Sequence, residues 1–276
     1  MRKLNYTVVD VFTTRPLAGN PLAVFTNAAG LSTALMQRLA GELNLSETAF
    51  VLPPERGGTA RLRIFTPRRE LPFAGHPIVG SAYVIGRAAP LGLIRFETGV
   101  GEVPVIIDRE GGFVSRCTMT QPAPRYEEGD VSVEAVQNAL GHKGIVRVSV
   151  GSNGPSFVLA QVDDVDALRP DPSAIARLPH NLGVYEAPRE GITRQRLFAP
   201  NEGIAEDPAT GSLAGVVAQR LRLDGLLRGD VLEIHQGAAL GRPSEIFVEL
   251  REGEGPRVGG AAVSVARGTF ELPTGL

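Results

Sequence analysis

Three short stretches of this sequence set residues suited to acid–base or anion-binding chemistry in a pattern that could use them. In NLSETAFVLPP (44–54), Ser46 and Glu47 stand just ahead of a run of nearly all apolar residues, which reads as a strand. A carboxyl group at the inner end of a buried strand is partly desolvated. Its acidity then moves toward neutrality, as proton transfer near neutral pH requires. At a solvent-exposed strand edge the same residue is an ordinary surface charge, and the stretch by itself leaves both readings open.

The other two stretches resemble each other. ELPFAGHPIVGSAYV (70–84) and AEDPATGSLAGVVAQ (205–219) each carry Glu, then Pro two residues on, then Gly three residues later, then a polar residue and an apolar helix-like run. Glu70, Pro72, Gly75 and His76 precede Glu206, Pro208, Gly211 and Ser212 by 136 positions, close to half of the 276-residue chain. A helix N-terminus leaves backbone N–H groups without intrahelical partners and carries about half a positive charge. Gly75 and Gly211 remove the side chain where a ligand would approach that backbone, and Pro77 fits a first turn in which no N–H is needed. Two such helices, one per half, could aim at one anionic ligand in a cleft between domains, with a carboxylate as the natural guest.

Each residue also has a plainer reading. Gly before a helix with Pro just inside is ordinary turn chemistry, and gene duplication alone produces repeats. His76 could be an N-cap or a satisfied core histidine, and Asp207 could stabilise its own turn through an Asx hydrogen bond. Ser212 lies in T-G-S-L-A rather than G-x-S-x-G, so its hydroxyl is expected to cap a helix and not to serve as a hydrolase nucleophile. Neither G-x-x-x-x-G-K-[ST] nor a strand-linked G-x-G-x-x-G is present.

The elements that must position these residues follow from pattern. TVVDVF, PLAVF, TAFVL, ARLRIF, LIRFET, VPVII and FVSRCTM in the first half are short, β-rich and bounded by Gly or Pro, so they read as strands. Ser32–Leu43 opens on an N-cap serine and is amphipathic; a helix near 77–87 is apolar nearly all round and so is expected to be buried. In the second half, Ser132–Leu140 is a capped amphipathic helix, a buried helix is expected near 212–223, and strands near 145–150, 156–162, 183–187, 193–198, 230–235, 245–250 and 261–266. QPAPRYEEGD (121–130) is the most linker-like stretch. The expected architecture is therefore α+β. Two pseudo-symmetric domains, 1–120 and 121–276, each wrap strands around one central buried helix, with the last strand free to return to the N-terminal domain.

Composition narrows the functional class. A chain of 276 residues, 43% hydrophobic and 21% charged, can bury a core in each half. The net charge of −2 and pI near 6.1 give no electrostatic reason to expect nucleic acid. No apolar run reaches the ~20 residues that span a bilayer, and the N-terminus enters an alternating strand pattern directly, so a cytoplasmic protein is expected. One cysteine, Cys117, excludes an internal disulfide, and His76, His142, His180 and His235 are scattered, so no metal site is expected.

Five segments in order, VVDVFTTRPLAGNPLAVF, LNLSETAFVLPP, RIFTPRRELPFAGHPIVG, EDPATGSLAG and QGAALGRPS, together resemble the phenazine-biosynthesis PhzF-like isomerase family from about Tyr6 to Val265. The resemblance implies a diaminopimelate epimerase-like fold, a homodimer, and cofactor-independent isomerisation of a small carboxylate. The substrate in the phenazine pathway is trans-2,3-dihydro-3-hydroxyanthranilate. It also implies that Glu47 moves the proton, with Ser46, Gly75, His76, Asp207, Gly211 and Ser212 binding substrate. Related epimerases and proline racemases use two cysteines at these helix starts, where this chain has His76 and Ser212, so a two-thiol route is closed to it. Arg68–Arg69 answer to no family requirement. Tyr83, Asn153, Tyr185 and Asn201 are further candidates for shaping specificity. A protein of the same fold that binds a small carboxylate without catalysis is the alternative.

Overall fold

In the computed structural model, which describes residues 2–127 and 131–273, the alternating stretches form strands and the periodic ones helices. The chain divides into two compact units, Met1–Thr120 with Gly259–Leu276, and Gln121–Val258. Among the described residues no helix is long and apolar enough to cross a membrane.

In the first unit, strand Arg2–Val11 pairs antiparallel with both Asn20–Phe25 and Ala262–Leu272. Asn20–Phe25 lies parallel to Glu47–Leu52, and α1 (Thr33–Leu43) makes the crossover that parallel pairing requires. Glu47–Leu52 runs antiparallel to Ala60–Phe65, which is parallel to Leu93–Thr98 across a second helix, α2 (Gly75–Ala88). Gly101–Glu110 and Phe113–Thr120 continue as an antiparallel meander. Helix α1 starts where Ser32 Oγ accepts the Leu35 N–H at 3.2 Å and stops at Asn44 in the left-handed conformation. Its apolar face, Leu35, Met36 and Leu39, is buried with Phe25, Phe50 and Phe65. Helix α2 has no polar face to show solvent: Ile78, Val79 and Ala82 are fully buried, each larger side chain contributing about 1.5–3 kcal/mol. Gly80 lets it sit close, since a Cβ there would lie 2.6 Å from Leu22 Cδ2 and 2.7 Å from Val11 Cγ2.

The second unit repeats this order. Arg125–Glu127, Ile145–Ser152 and Ser156–Val162 pair antiparallel in turn, and α3 (Val133–Leu140) precedes the second of these behind its Ser132 cap. Ser156–Val162 lies parallel to Asn181–Tyr185 across a connection holding the one-turn helix α4 (Pro172–Ile175). Asn181–Tyr185 is antiparallel to Ile192–Ala199, which is parallel to Val231–Gln236 across α5 (Gly211–Leu223), and Ser244–Glu249 closes the set. Here the strand supplies the glycine: a Cβ on Gly183 would lie 2.6 Å from Leu213 Cδ1 of α5. Each unit thus wraps strands around one buried helix, as the repeated phrase implied.

Three expectations are corrected. Helix α5 begins at Gly211 behind Thr210, with no side-chain cap bond, so Ser212 is its second residue and not a cap. His76 holds the same second position in α2, which excludes it as an N-cap. The stretch 121–127 is no linker. Gln121 is buried and its Nε2 donates to Gly211 O at 2.8 Å, Tyr126 Oη donates to Val216 O at 2.6 Å, and Arg125–Glu127 pairs with residues 150–152. Its Pro and charged residues mimic a loop, while its contacts make it part of the second unit. Residues 128–130 of that stretch lie outside the described residues.

Candidate active site

The repeated Glu turns out to be scaffold. Arg63 Nε and Nη2 donate to the two carboxylate oxygens of Glu70 at 2.7 and 2.6 Å, and Arg196 Nε and Nη2 donate to those of Glu206, both at 2.8 Å. Each guanidinium also covers a phenylalanine two residues on, Arg63 at 5.2 Å from the Phe65 ring centroid and Arg196 at 5.0 Å from that of Phe198. The two-pronged clamps fix the strand from which the chain turns toward each buried helix. Neither helix receives a side-chain cap, so the first-turn N–H groups are left to other partners.

At the start of α2 the chemistry is a carboxyl group beside an imidazole. Glu47 is the first residue of its strand and is 9% exposed, which removes the exposed-edge reading. His76, 3% exposed, places Nε2 at 3.3 Å from Glu47 Oε2, a contact looser than a formed hydrogen bond. Burial pushes the imidazole down to about 3. His76 is therefore neutral near pH 7, and its contact with Glu47 is dipolar rather than ionic. Asn20 Nδ2 lies 3.3 Å from His76 Nδ1. An amide NH2 only donates, so Nδ1 is the acceptor and the ring hydrogen sits on Nε2, facing the Glu47 carboxyl. The arrangement holds a proton-bearing nitrogen within reach of a desolvated carboxyl group.

At the start of α5 the chemistry is a carboxyl group in an amide and hydroxyl network. Asp207 is 5% exposed, and its Oδ2 accepts the Thr210 hydroxyl at 2.5 Å, a bond between two side chains and not the Asx bond to backbone that the sequence left open. Asp207 O accepts Gln236 Nε2 at 2.8 Å, and Pro208 O accepts Ser244 Oγ at 3.1 Å. Gly211 O and Ser212 O are held by Gln121 Nε2 and Asn153 Nδ2, both at 2.8 Å. Gly211 and Ser212 are buried, as is Gly75 in the first unit, while Ser46 is half-buried beside Glu47.

The structure thus groups Ser46, Glu47, Gly75 and His76 in the first unit, and Asp207, Gly211 and Ser212 in the second. Asn20, Thr210, Gln195 and Gln236 belong with them. Asn20, Gln195 and Gln236 carry no local signal, because their contacts join residues far apart in sequence, whereas Thr210 lies within EDPATGSLAG, three positions from its partner Asp207. The QGAALGRPS segment held a usable signal: Gln236 and Ser244, which grip the Asp207–Pro208 carbonyls, both lie in it. Of the four suggested specificity residues, Asn153 bonds a site residue. Tyr83 is buried under Arg87, Tyr185 is core, and Asn201 is exposed with Nδ2 on Ala176 O at 3.1 Å. Arg68 and Arg69 lie exposed on a turn whose N–H groups bond Thr66 Oγ1 at 3.2 and 3.0 Å. Among the described residues no three His, Cys, Asp or Glu side chains gather as metal ligands.

Residues 9–268 match the sequence profile of the family described as phenazine biosynthesis-like protein, PhzC-PhzF. The trans-2,3-dihydro-3-hydroxyanthranilate isomerase of Pseudomonas aeruginosa is 42% identical over 264 residues, covering 94% of each chain. A crystal structure of a phenazine biosynthesis protein of the PhzF family from Bacillus anthracis superposes with a TM-score of 0.85 at 25% identity, covering 99% of this chain and 100% of that one. A hydroxyproline epimerase from Agrobacterium vitis, solved with bound trans-4-hydroxy-L-proline, shares the fold with a TM-score of 0.73 at 13% identity, covering 97% of this chain and 92% of that one.

Proposed function

The chain belongs to the phenazine biosynthesis-like (PhzC-PhzF) family and is an isomerase, and we propose that Glu47 is the acid/base with which it moves a proton on a small carboxylate. The leading substrate is trans-2,3-dihydro-3-hydroxyanthranilate, on which the Pseudomonas aeruginosa relative acts by name. The observation that carries this reading is the buried Glu47 carboxyl beside a neutral His76 whose Nε2 hydrogen faces it. Burial disfavours a standing charge, so such a carboxyl can accept a proton and give it back with little reorganisation.

In this reading Glu47 takes a proton from an activated carbon of the substrate and returns it to another carbon. His76 and Asp207 hold polar substituents, Ser46 and Ser212 add hydrogen bonds to the substrate, and the N–H groups of the helix starts at Gly75 and Gly211 bind its carboxylate. The enzyme works as a cytoplasmic homodimer, which size-exclusion chromatography with light scattering and cell fractionation would check.

Isotope labelling tests the reaction. Turnover of trans-2,3-dihydro-3-hydroxyanthranilate in deuterated water should place solvent label at the accepting carbon of the product. With substrate labelled at the donor carbon, part of the label should survive transfer, since one shuttling group returns the proton it took. Glu47→Gln should abolish both signals while circular dichroism stays unchanged. A folded Glu47→Gln protein with normal turnover would overturn the assignment, and a protein that binds this acid without any label movement would favour the non-catalytic alternative.

A further inference from the structure

The start of α5 carries a second layer of polar residues that no part of the proposed proton transfer uses. Gln236 is 3% exposed, and all four hydrogen-bonding positions of its amide are taken. Nε2 donates to Asp207 O at 2.8 Å and to Thr210 Oγ1 at 3.1 Å; Oε1 accepts from Thr210 N at 2.9 Å and from Gln195 Nε2 at 2.8 Å. Turning the amide over would set its oxygen against the Asp207 carbonyl and its NH2 against the Thr210 N–H. The orientation is therefore fixed by its partners.

That orientation fixes the next hydrogen. An amide NH2 can only donate, so toward Gln236 the Thr210 hydroxyl accepts. Its own single hydrogen is then committed to Asp207 Oδ2, at 2.5 Å. The donors run in one direction, from Gln236 through Thr210 to the carboxyl of Asp207. A hydroxyl that donates to a carboxyl oxygen favours the ionised form. The strand ends around it are locked as well: Gly237, at φ +78°, lets the loop close on Pro208, where a Cβ would lie 2.5 Å from the Pro208 carbonyl oxygen. Gln195, Thr210 and Asp207 are buried too, at 1, 7 and 5% exposure, so no solvent competes for these bonds.

We infer that Thr210 and Gln236 are positioning residues that hold Asp207 as an ionised hydrogen-bond acceptor toward the substrate, leaving proton delivery to Glu47. The inference rests on the reading of Asp207 as a substrate-binding residue. It divides labour between two buried carboxyl groups: Glu47 changes its protonation during the reaction, and Asp207 does not. It also explains why QGAALGRPS accompanies EDPATGSLAG in the sequence, since the first segment supplies the amide that orients the hydroxyl in the second.

The test is the pH dependence of kcat/KM for trans-2,3-dihydro-3-hydroxyanthranilate in four variants. Thr210→Val keeps the shape and removes the hydroxyl, so the acid limb should move to higher pH by on the order of one unit, with KM raised more than kcat is lowered. Thr210→Ser, which restores a hydroxyl, should bring the limb back to its wild-type position. Gln236→Leu leaves the hydroxyl free to turn away, and should move the limb in the same direction by less. It also keeps the inference falsifiable if Thr210→Val does not fold. A purely structural role would lower the melting temperature and activity of these variants with the limb unmoved, and that result would overturn the inference. Asp207→Asn separates the two levels. If it retains wild-type kcat/KM, the substrate-binding reading falls and the inference with it. If it loses activity while Thr210→Val and Gln236→Leu keep the wild-type limb, the inference alone falls.

Discussion

The two buried helices begin in the same way and are held there by different means. At α5, side chains from three segments grip the backbone: Gln236 on Asp207 O, Ser244 on Pro208 O, Gln121 on Gly211 O and Asn153 on Ser212 O. At α2, the corresponding proline is held by backbone, with Gly99 N–H donating to Pro72 O at 3.0 Å and Gly99 so close that a Cβ would lie 2.7 Å from Pro72 Cα. The residues that do reach the start of α2, Asn20 and Glu47, meet an imidazole side chain instead of a carbonyl. A duplicated frame therefore carries one half in which polar side chains fix the scaffold and one half in which they bring a carboxyl group beside an imidazole. Duplication supplies the geometry twice, and substitution at a few buried positions gives each copy its own chemistry.

The largest test of that asymmetry compares equivalent strand starts. Asn181 begins the strand parallel to Ser156–Val162, as Glu47 begins the strand parallel to Asn20–Phe25. Glu47→Gln should lower kcat by ~10²–10⁴-fold, the range for a general acid/base. Asn181→Ala, half-buried at the matching position, should change kcat by less than about twofold, in line with surface-like substitutions away from the chemistry. Comparable losses in both variants would break the comparison.

The two arginine clamps should differ in stability rather than activity. The Arg196–Glu206 side chains are 12 and 10% exposed, whereas those of Arg63 and Glu70 are 14 and 38% exposed. Glu206→Gln leaves a charge buried and should cost about 3 kcal/mol in urea unfolding. Glu70→Gln leaves a guanidinium that water can reach through the more exposed partner, and should cost about 1 kcal/mol. Equal losses would mean that burial does not distinguish the clamps.

How much of this was written in the sequence depends on the range of the interaction. Ser32 and Ser132 announced α1 and α3 because a cap bonds a residue three positions away, and the apolar runs after Gly75 and Gly211 announced buried helices because burial on all faces needs apolar residues on all faces. The Arg–Glu clamps join residues seven and ten positions apart across a chain reversal, Arg63 to Glu70 and Arg196 to Glu206, a spacing that belongs to no periodic pattern. The Gln236–Thr210 and Asn20–His76 contacts span 26 and 56 positions, and nothing local marks an amide as the partner of a distant hydroxyl or imidazole. The short strands Glu70–Leu71, Arg125–Glu127 and Ile204–Asp207 are too brief for alternation to show. Glu47 was legible as a candidate, but its burial came from the strands on either side.

A smaller effect separates the starts by pH. His76 titrates near 3 in the folded protein against about 6.5 when unfolded. Between those values the unfolded chain binds a proton that the folded one does not. Stability should therefore be complete above about pH 6.5 and fall as pH drops toward 3, by up to about 1.4 kcal/mol per pH unit from this group. His76→Asn should flatten that slope between pH 7 and pH 5 in urea titrations, and Ser212→Ala should leave it as it is. A slope unaltered by His76→Asn would mean that the imidazole is not held neutral.

The smallest expected effect is none, and it concerns the thiol. The first unit holds the chain's single cysteine, Cys117, in the strand Phe113–Thr120, and neither helix start carries one. Cys117 is 2% exposed, and burial, with a further contribution from Asp108, pushes its thiol up to about 12. At pH 8 only about one molecule in 10⁴ would carry the thiolate, the form that reacts with alkylating agents. Iodoacetamide at that pH should leave isomerase activity unchanged over the time that modifies the urea-unfolded chain fully. Cys117→Ala should cost stability on the order of 1 kcal/mol through the small cavity it leaves, with kcat/KM intact. Rapid stoichiometric inactivation that substrate prevents would place a thiol at the reacting carbon, and would overturn Glu47 as the group that moves the proton.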